Sequence, residues 1–171
     1  MNTGQMLFAI GALTLLSFIV LRVNSNILYS DIVLQDSKDG ILANSIAASI
    51  VEKASRKFFD DNTTTGPVPI GNLTPIVKLG PESGETGPDT FNDFDDFNNY
   101  AQQDTFYGSM IFYSKCKVCY VKPDNPDSPS NQRTWNKKLS IETYSRAMNG
   151  DPGVLTDTFK LSTIYSYWYF Q

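Results

Sequence analysis

The run Met6 to Leu21, MLFAIGALTLLSFIVL, carries no charge and no proline and starts almost at the first residue. Nothing else in the chain limits its fold as much. A secretory signal peptide opens with basic residues and closes on a small-residue cleavage site, and no Lys or Arg precedes this run. A helix apolar on every face can also be buried in a large soluble protein, but 171 residues of which 41% are hydrophobic cannot wrap one. A membrane-inserted helix remains. Spanning a bilayer takes about 20 residues, and the uncharged Asn2 to Gln5 extend the run toward that length.

Past Arg22 the pattern becomes amphipathic. Ile27, Leu34 and Ile41 recur at seven, then Ile46, Ile50, Ala54 and Phe58 at four, with Asp31, Lys38, Asn44, Glu52 and Arg56 between them. That is one face of a 3.6-residue period. With no proline before Pro67, the spacing predicts one helix from Thr3 to about Phe59. The expected division is an apolar helix over 1–23, its amphipathic continuation over 24–59 and a β-rich domain over 60–171.

Composition narrows what that domain does. The chain has no histidine, which removes the commonest general base and metal ligand. We expect no enzyme, and the residues assign no catalytic group, cofactor, metal or small-molecule substrate. A net charge of -4 and a pI near 4.7 argue against nucleic acid, whose binders carry basic patches. Eleven Phe and nine Tyr favour a sheet packed through aromatic rings.

DDNTTTGPVPIGNLTP after Phe59 has the composition of turns and irregular connection, and Ile76 to Leu79 reads as a short strand before the breaker GPESGETGP. Asn62-Thr63-Thr64 and Asn72-Leu73-Thr74 match the glycosylation acceptor pattern, which implies exposure of 60–75. Glu82, Glu85, Asp89, Asp93, Asp95 and Asp96 then follow with no basic residue among them. Phe91, Phe94, Phe97 and Tyr100 recur every third residue through the same stretch, so a short helical turn would set the rings on one side and the acids opposite. Oxygen-rich clusters suit calcium, but the EF-hand spacing is not met. The preferred reading packs the rings and leaves the acids in water.

From Asp104 onward the pattern is β, with strands expected at Phe106 to Ser114, Lys117 to Lys122, Thr134 to Ser145 and Thr158 to Phe170, joined by turn-rich segments at 123–132 and 146–153. Leu139, Ile141 and Thr143 alternate with Ser140, Glu142 and Tyr144, and the last strand carries apolar side chains on both faces. The fold class is therefore α+β, a long N-terminal helix packed against a C-terminal antiparallel sheet of about four strands.

Cys116 and Cys119 are the only cysteines. No further Cys or His completes a tetrahedral metal site around them. A disulfide suits an exported domain, yet three extended steps span about 10 Å against a limit near 7 Å between bridged Cα atoms. A bridge would need a turn or bulge at Lys117-Val118. In a regular strand the two stay as thiols on opposite faces.

An uncharged start, an apolar N-terminal helix, its amphipathic extension and a C-terminal sheet together resemble the type IV pilin and pseudopilin superfamily. The resemblance implies a structural filament subunit whose apolar half sits in the inner membrane and later packs with copies of itself, at the cell surface. Filament-core contacts would then come from Gln5, Phe8, Gly11, Leu15, Phe18 and Leu21. The family's mature chain carries glutamate at its fifth residue, and with Met1 as the start this chain has Gln5 instead. We expect no cleavage after Gly4, because MNT lacks the basic residues of the family's leader.

Overall fold

Helix α1 runs from Thr3 to Ser55 in the computed structural model, which describes residues 2–106, 110–145 and 158–167. The chain divides into two compact units, Met1–Lys38 and Asp39–Gln171. In the first unit every described residue is exposed. Its hydroxyls stay within the helix: Thr14 Oγ1 donates to the Gly11 carbonyl at 2.8 Å and Ser17 Oγ to Leu13 at 2.9 Å. Each hydroxyl thus satisfies itself without water, as an apolar medium requires.

In the second unit the remainder of α1 lies on the sheet. Ala43, Ile46, Ala47, Ile50 and Ala54 are buried, and the alanines let the helix backbone approach closely. The predicted stripe is buried at Ile46, Ile50 and Ala54. Ile27, Leu34, Ile41 and Phe58 are exposed, the last two by 69% and 55%, and Ala43 and Ala47 are buried instead. Phe58 lies past the end of α1, where the Phe58 carbonyl accepts from Phe94 N at 2.8 Å and Phe58 N donates to Asn92 at 3.3 Å. That extended pairing competes with further helix and explains why α1 stops short of Phe59.

The connection from 60 to 100 is built of short 3₁₀ turns, at Asp61–Thr63, Ile70–Asn72, Ile76–Lys78 and Asp95–Phe97. The expected strand at Ile76 to Leu79 is thus one of these turns, entered from Pro75. Prolines at 67, 69 and 75 withhold backbone donors from any ladder, which favours that outcome. Exposure of 60–75 holds for Asn62 and Asn72 but not throughout. Asp60, Thr63, Leu73 and Thr74 are buried.

Among the described residues the sheet has five antiparallel strands: β1 (Ala101–Phe106), β2 (Met110–Lys122), β3 (Asn125–Pro129), β4 (Asn136–Ser145) and β5 (Thr158–Ser166). Their order is β1-β2-β4-β5, with β3 on β2. Two expected strands, Phe106 to Ser114 and Lys117 to Lys122, are largely one, β2, whose register against β4 is unbroken from Phe112↔Ser145 to Tyr120↔Lys137. The exposed Lys115 and Lys117 interrupt the apolar pattern without interrupting the ladder. The fifth strand, β3, lies inside the segment read as a polar connection, and as a short edge carrying Pro126 and Pro129 it sits where prolines are tolerated. The connection at 146–153 and the end of the last strand, 168–170, lie outside the described residues.

One face of β4 is buried through Lys137, Leu139, Ile141, Thr143 and Ser145. On β5 the outward face is open, with Lys160, Ser162 and Ile164 exposed, so the expectation that both faces are covered fails for this edge strand. Phe91, Phe94 and Phe97 join the helix and sheet in the main core, and Tyr100 packs beside them. A second cluster of Phe59, Leu73, Leu79 and Tyr120 lies beneath the 3₁₀ connection.

Candidate functional site

Two features stand out, one in each unit. The first is the surface of α1 from Thr3 through Val23. Phe8 is 84% exposed, and Leu15, Phe18 and Leu21 are each more than half exposed. Gln5 and Gly11 are exposed too, and a Cβ added at Gly11 would meet nothing within 4 Å. An 18-residue window of α1 has a mean hydropathy of 2.3 and is 0% buried. By length and composition this helix can cross a membrane. Gln5, Phe8, Gly11, Leu15, Phe18 and Leu21, the six residues expected at a filament core, are all exposed among the described residues, along a helix with apolar side chains on every side.

The second feature is a buried charge cluster. Lys137 projects from β4 into the core, its Nζ donating to the Phe59 carbonyl at 2.7 Å, to Asp60 Oδ2 at 2.8 Å and to Asp95 Oδ1. Its Nζ also stands 4.7 Å from the Phe59 ring and 5.4 Å from the Tyr120 ring. Both carboxylates and the lysine are fully buried. Asp60 accepts further from Thr74 N at 2.9 Å and Asn62 N at 3.2 Å, and it caps the Asp61–Thr63 turn. Tyr120 Oη donates to the Thr74 carbonyl at 2.8 Å. Three distant pieces of sequence are thereby joined: the exit of α1, the Asp95–Phe97 turn and β4.

Of the six acids expected to face water, three are inside, while Glu82 and Asp89 are exposed and Glu85 is half-buried. Asp93, Asp95 and Asp96 are 0% exposed: Asp93 and Asp96 oxygens replace the backbone partners that 3₁₀ turns lack, and Asp95 pairs with Lys137. Asp93 Oδ1 accepts from Asp95 N at 2.8 Å and Asp96 N at 3.2 Å, and Asp93 Oδ2 accepts from Asp61 N at 2.5 Å. Burial pushes Asp60 up, but the Lys137 charge and the hydrogen bonds from Lys137, Thr74 and Asn62 outweigh it and hold the carboxyl below its ordinary value. Burial and the Asp95 charge push Asp93 up to about 9 against the pull of Lys137. Asp95 is raised by burial despite Lys137.

No protein-family model, curated protein or solved structure matches the chain.

The cysteine alternatives separate on β2. Both are free thiols, and the bulge that a bridge would need at Lys117-Val118 does not occur in the β2–β4 register. Cys116 points into the core opposite Ile141, and burial pushes its thiol up to about 12. Cys119, three steps on, lies opposite Lys138 and is partly exposed.

Lys137 is the residue that sequence reasoning missed. The signal was present in parity, since Lys137 shares the inward face with Leu139 and Ile141. A lysine is not assigned to a core from alternation alone, because burying its charge needs partners. Those partners, Asp60 and Asp95, are far away in sequence.

Proposed function

We propose that this chain is a structural, non-enzymatic subunit of a pilin-like extracellular filament that polymerises through its N-terminal helix. The observation that carries this reading is the exposure of apolar side chains on every side of α1 before Arg22. Such a surface is compatible with lipid or with copies of the same helix, and not with water. Gly4, Ala9, Gly11 and Ala12 allow helix backbones to approach closely. A contact of this kind repeated head to tail grows as a helical fibre wherever its rotation does not close a ring.

In this reading the partners are the membrane before assembly and other copies afterwards. Nucleic acid is no partner, given the net charge of -4, and no small-molecule substrate is expected. Cells expressing the chain carry it at their surface. Gln5, where the resembling family has glutamate, serves as a neutral hydrogen-bonding group within the assembly.

Electron microscopy of filaments sheared from the native cells, with mass spectrometry of their main band, tests the proposal. Peptides of this chain dominating a thin helical fibre would support it. Recovery only from detergent-extracted membranes would overturn it in favour of a single-pass anchored protein that does not polymerise.

A further inference from the structure

The acidic stretch contains a second arrangement that the Lys137 cluster does not use. Glu82, Glu85 and Asp96 each place a carboxylate oxygen so that all three lie within 4.8 Å of one another. Glu82 is exposed, Glu85 half-buried and Asp96 fully buried. Asp96 Oδ2 is committed to backbone, accepting from Asn92 N at 2.8 Å and Asp93 N at 3.0 Å. Among the described residues, Asp96 Oδ1 is buried and has no hydrogen-bond donor other than the neighbouring Glu82 carboxyl when that is protonated. An orphaned carboxylate oxygen inside a protein carries a desolvation penalty, and the carboxylate that bears it faces two more acids.

We propose that Glu82, Glu85 and Asp96 bind a calcium ion, with Asp96 as the buried anchor and the two glutamates closing over the ion from the solvent side. Calcium takes carboxylate oxygens at about 2.3–2.6 Å in flexible geometry. Oxygens bound to one such ion lie at most about 5.2 Å apart, and these three, all within 4.8 Å of one another, meet that bound. Magnesium, at about 2.0–2.1 Å, demands strict octahedral geometry and keeps several of its waters, so a site of three carboxylates suits it less well than calcium. Water completes the shell on the exposed Glu82 side.

The chain around the site makes it sensitive to occupancy. Glu85 Oε2 accepts from Glu82 N at 2.9 Å, which folds the two glutamates onto one turn. Asp96 belongs to the Asp95–Phe97 turn, whose neighbours Phe94 and Phe97 lie in the core. A bound ion therefore ties an exposed turn to the core and removes the repulsion among the three carboxylates. Without the ion, burial, the hydrogen bond to Glu85 and the Asp96 charge push Glu82 up to about 8. A proton shared between Glu82 and Asp96 is the competing way to relieve the same crowding.

The test uses the full chain in detergent micelles, stripped with chelator and titrated with calcium chloride at pH 7.5, followed by calorimetry and thermal melting. One calcium should bind per chain, in the 0.1–1 mM class of extracellular sites (about 10⁻⁴–10⁻³ M), and raise the melting midpoint by several degrees at saturation. Magnesium chloride at equal concentration should do markedly less. Glu82→Gln and Glu85→Gln should each weaken calcium binding about tenfold or more while melting in chelator no lower than the unmodified chain. Absence of binding heat and of a midpoint shift would overturn the proposal and leave the shared proton. Equal responses to the two ions, or glutamine variants that bind calcium as tightly as before, would overturn it as well.

Discussion

The two units of this chain invert each other. Before Lys38, α1 exposes Phe, Leu, Ile and Val side chains on every side; after Asp39, the domain buries Asp60, Asp93, Asp95, Asp96 and Lys137 inside an aromatic core. The difference teaches what each unit lacks. The exposed apolar surface lacks an apolar environment, which lipid or other copies can supply. The buried charges lack water, and the domain supplies most of the substitute itself through backbone N–H groups, Lys137 and Tyr120, whose Oη lies 3.3 Å from Asp60 Oδ2, while Asp96 Oδ1 is left over.

The largest expected effect breaks the first unit alone. Leu15→Lys puts a charge in the middle of the apolar surface, at a cost of about 2.5–3.5 kcal/mol in a membrane-inserted helix. Filaments in sheared fractions should disappear, while the melting midpoint of the domain stays unchanged. Normal filaments from this variant would remove the helix from the filament core.

Lys137→Ala breaks the second unit. It leaves Asp60 and Asp95 buried without their cation, and removing one partner of a buried pair costs about 3–5 kcal/mol. Denaturant unfolding should report that loss with no change in membrane association of the helix. A loss below about 1 kcal/mol would mean that Asp60 and Asp95 neutralise by taking up protons instead.

Acidity sharpens the same contrast, because only the second unit has buried acids among the described residues. Asp60, held below its ordinary value of 3.8, contributes stability that is present above that value and is lost as pH falls through the folded one. Asp93 works the other way. Its folded value near 9 lies above the ordinary 3.8, so its contribution is complete below 3.8 and is lost as pH rises toward 9. In chelator the melting midpoint should therefore peak near pH 3.8, where the two slopes cancel, and decline toward alkaline pH. A midpoint climbing steadily to neutrality would show that the three backbone donors keep Asp93 ionised.

The smallest effect locates the boundary between the two regimes. Ile50→Val should cost about 0.5–1.5 kcal/mol, as a methylene removed from a packed core does. Ile41→Val, at a position 69% exposed, should change stability by less than about 0.5 kcal/mol. Equal losses at the two positions would extend the helix–sheet contact toward the first unit.

Much of the architecture was legible because it rests on local periodicity. The helix from Thr3, the inward face of β4 and the ring side Phe91, Phe94 and Phe97 follow from spacings of 3.6, 2 and 3 residues. Strand boundaries were less legible. Lys115 and Cys116 fell between two expected strands, yet both lie within β2, Lys115 on its solvent side and Cys116 on its core side. The candidate ion site was legible only as a cluster of acids, since nothing local says which carboxylate turns inward.

The sequence by itself determined that α1 begins as a helix apolar on all sides, that a sheet follows, and that His-dependent chemistry is absent. Those are properties of neighbours a few residues apart, where side-chain volume, charge and backbone preference act directly. Only the tertiary structure decided the fate of the charges. Lys137 is buried because Asp60 and Asp95, more than 40 positions away in the chain, meet it in the core, and Asp96 turns inward because Asn92 N and Asp93 N hold one of its oxygens. A charge can leave water only where its partners are already assembled, and that assembly is a property of the folded chain.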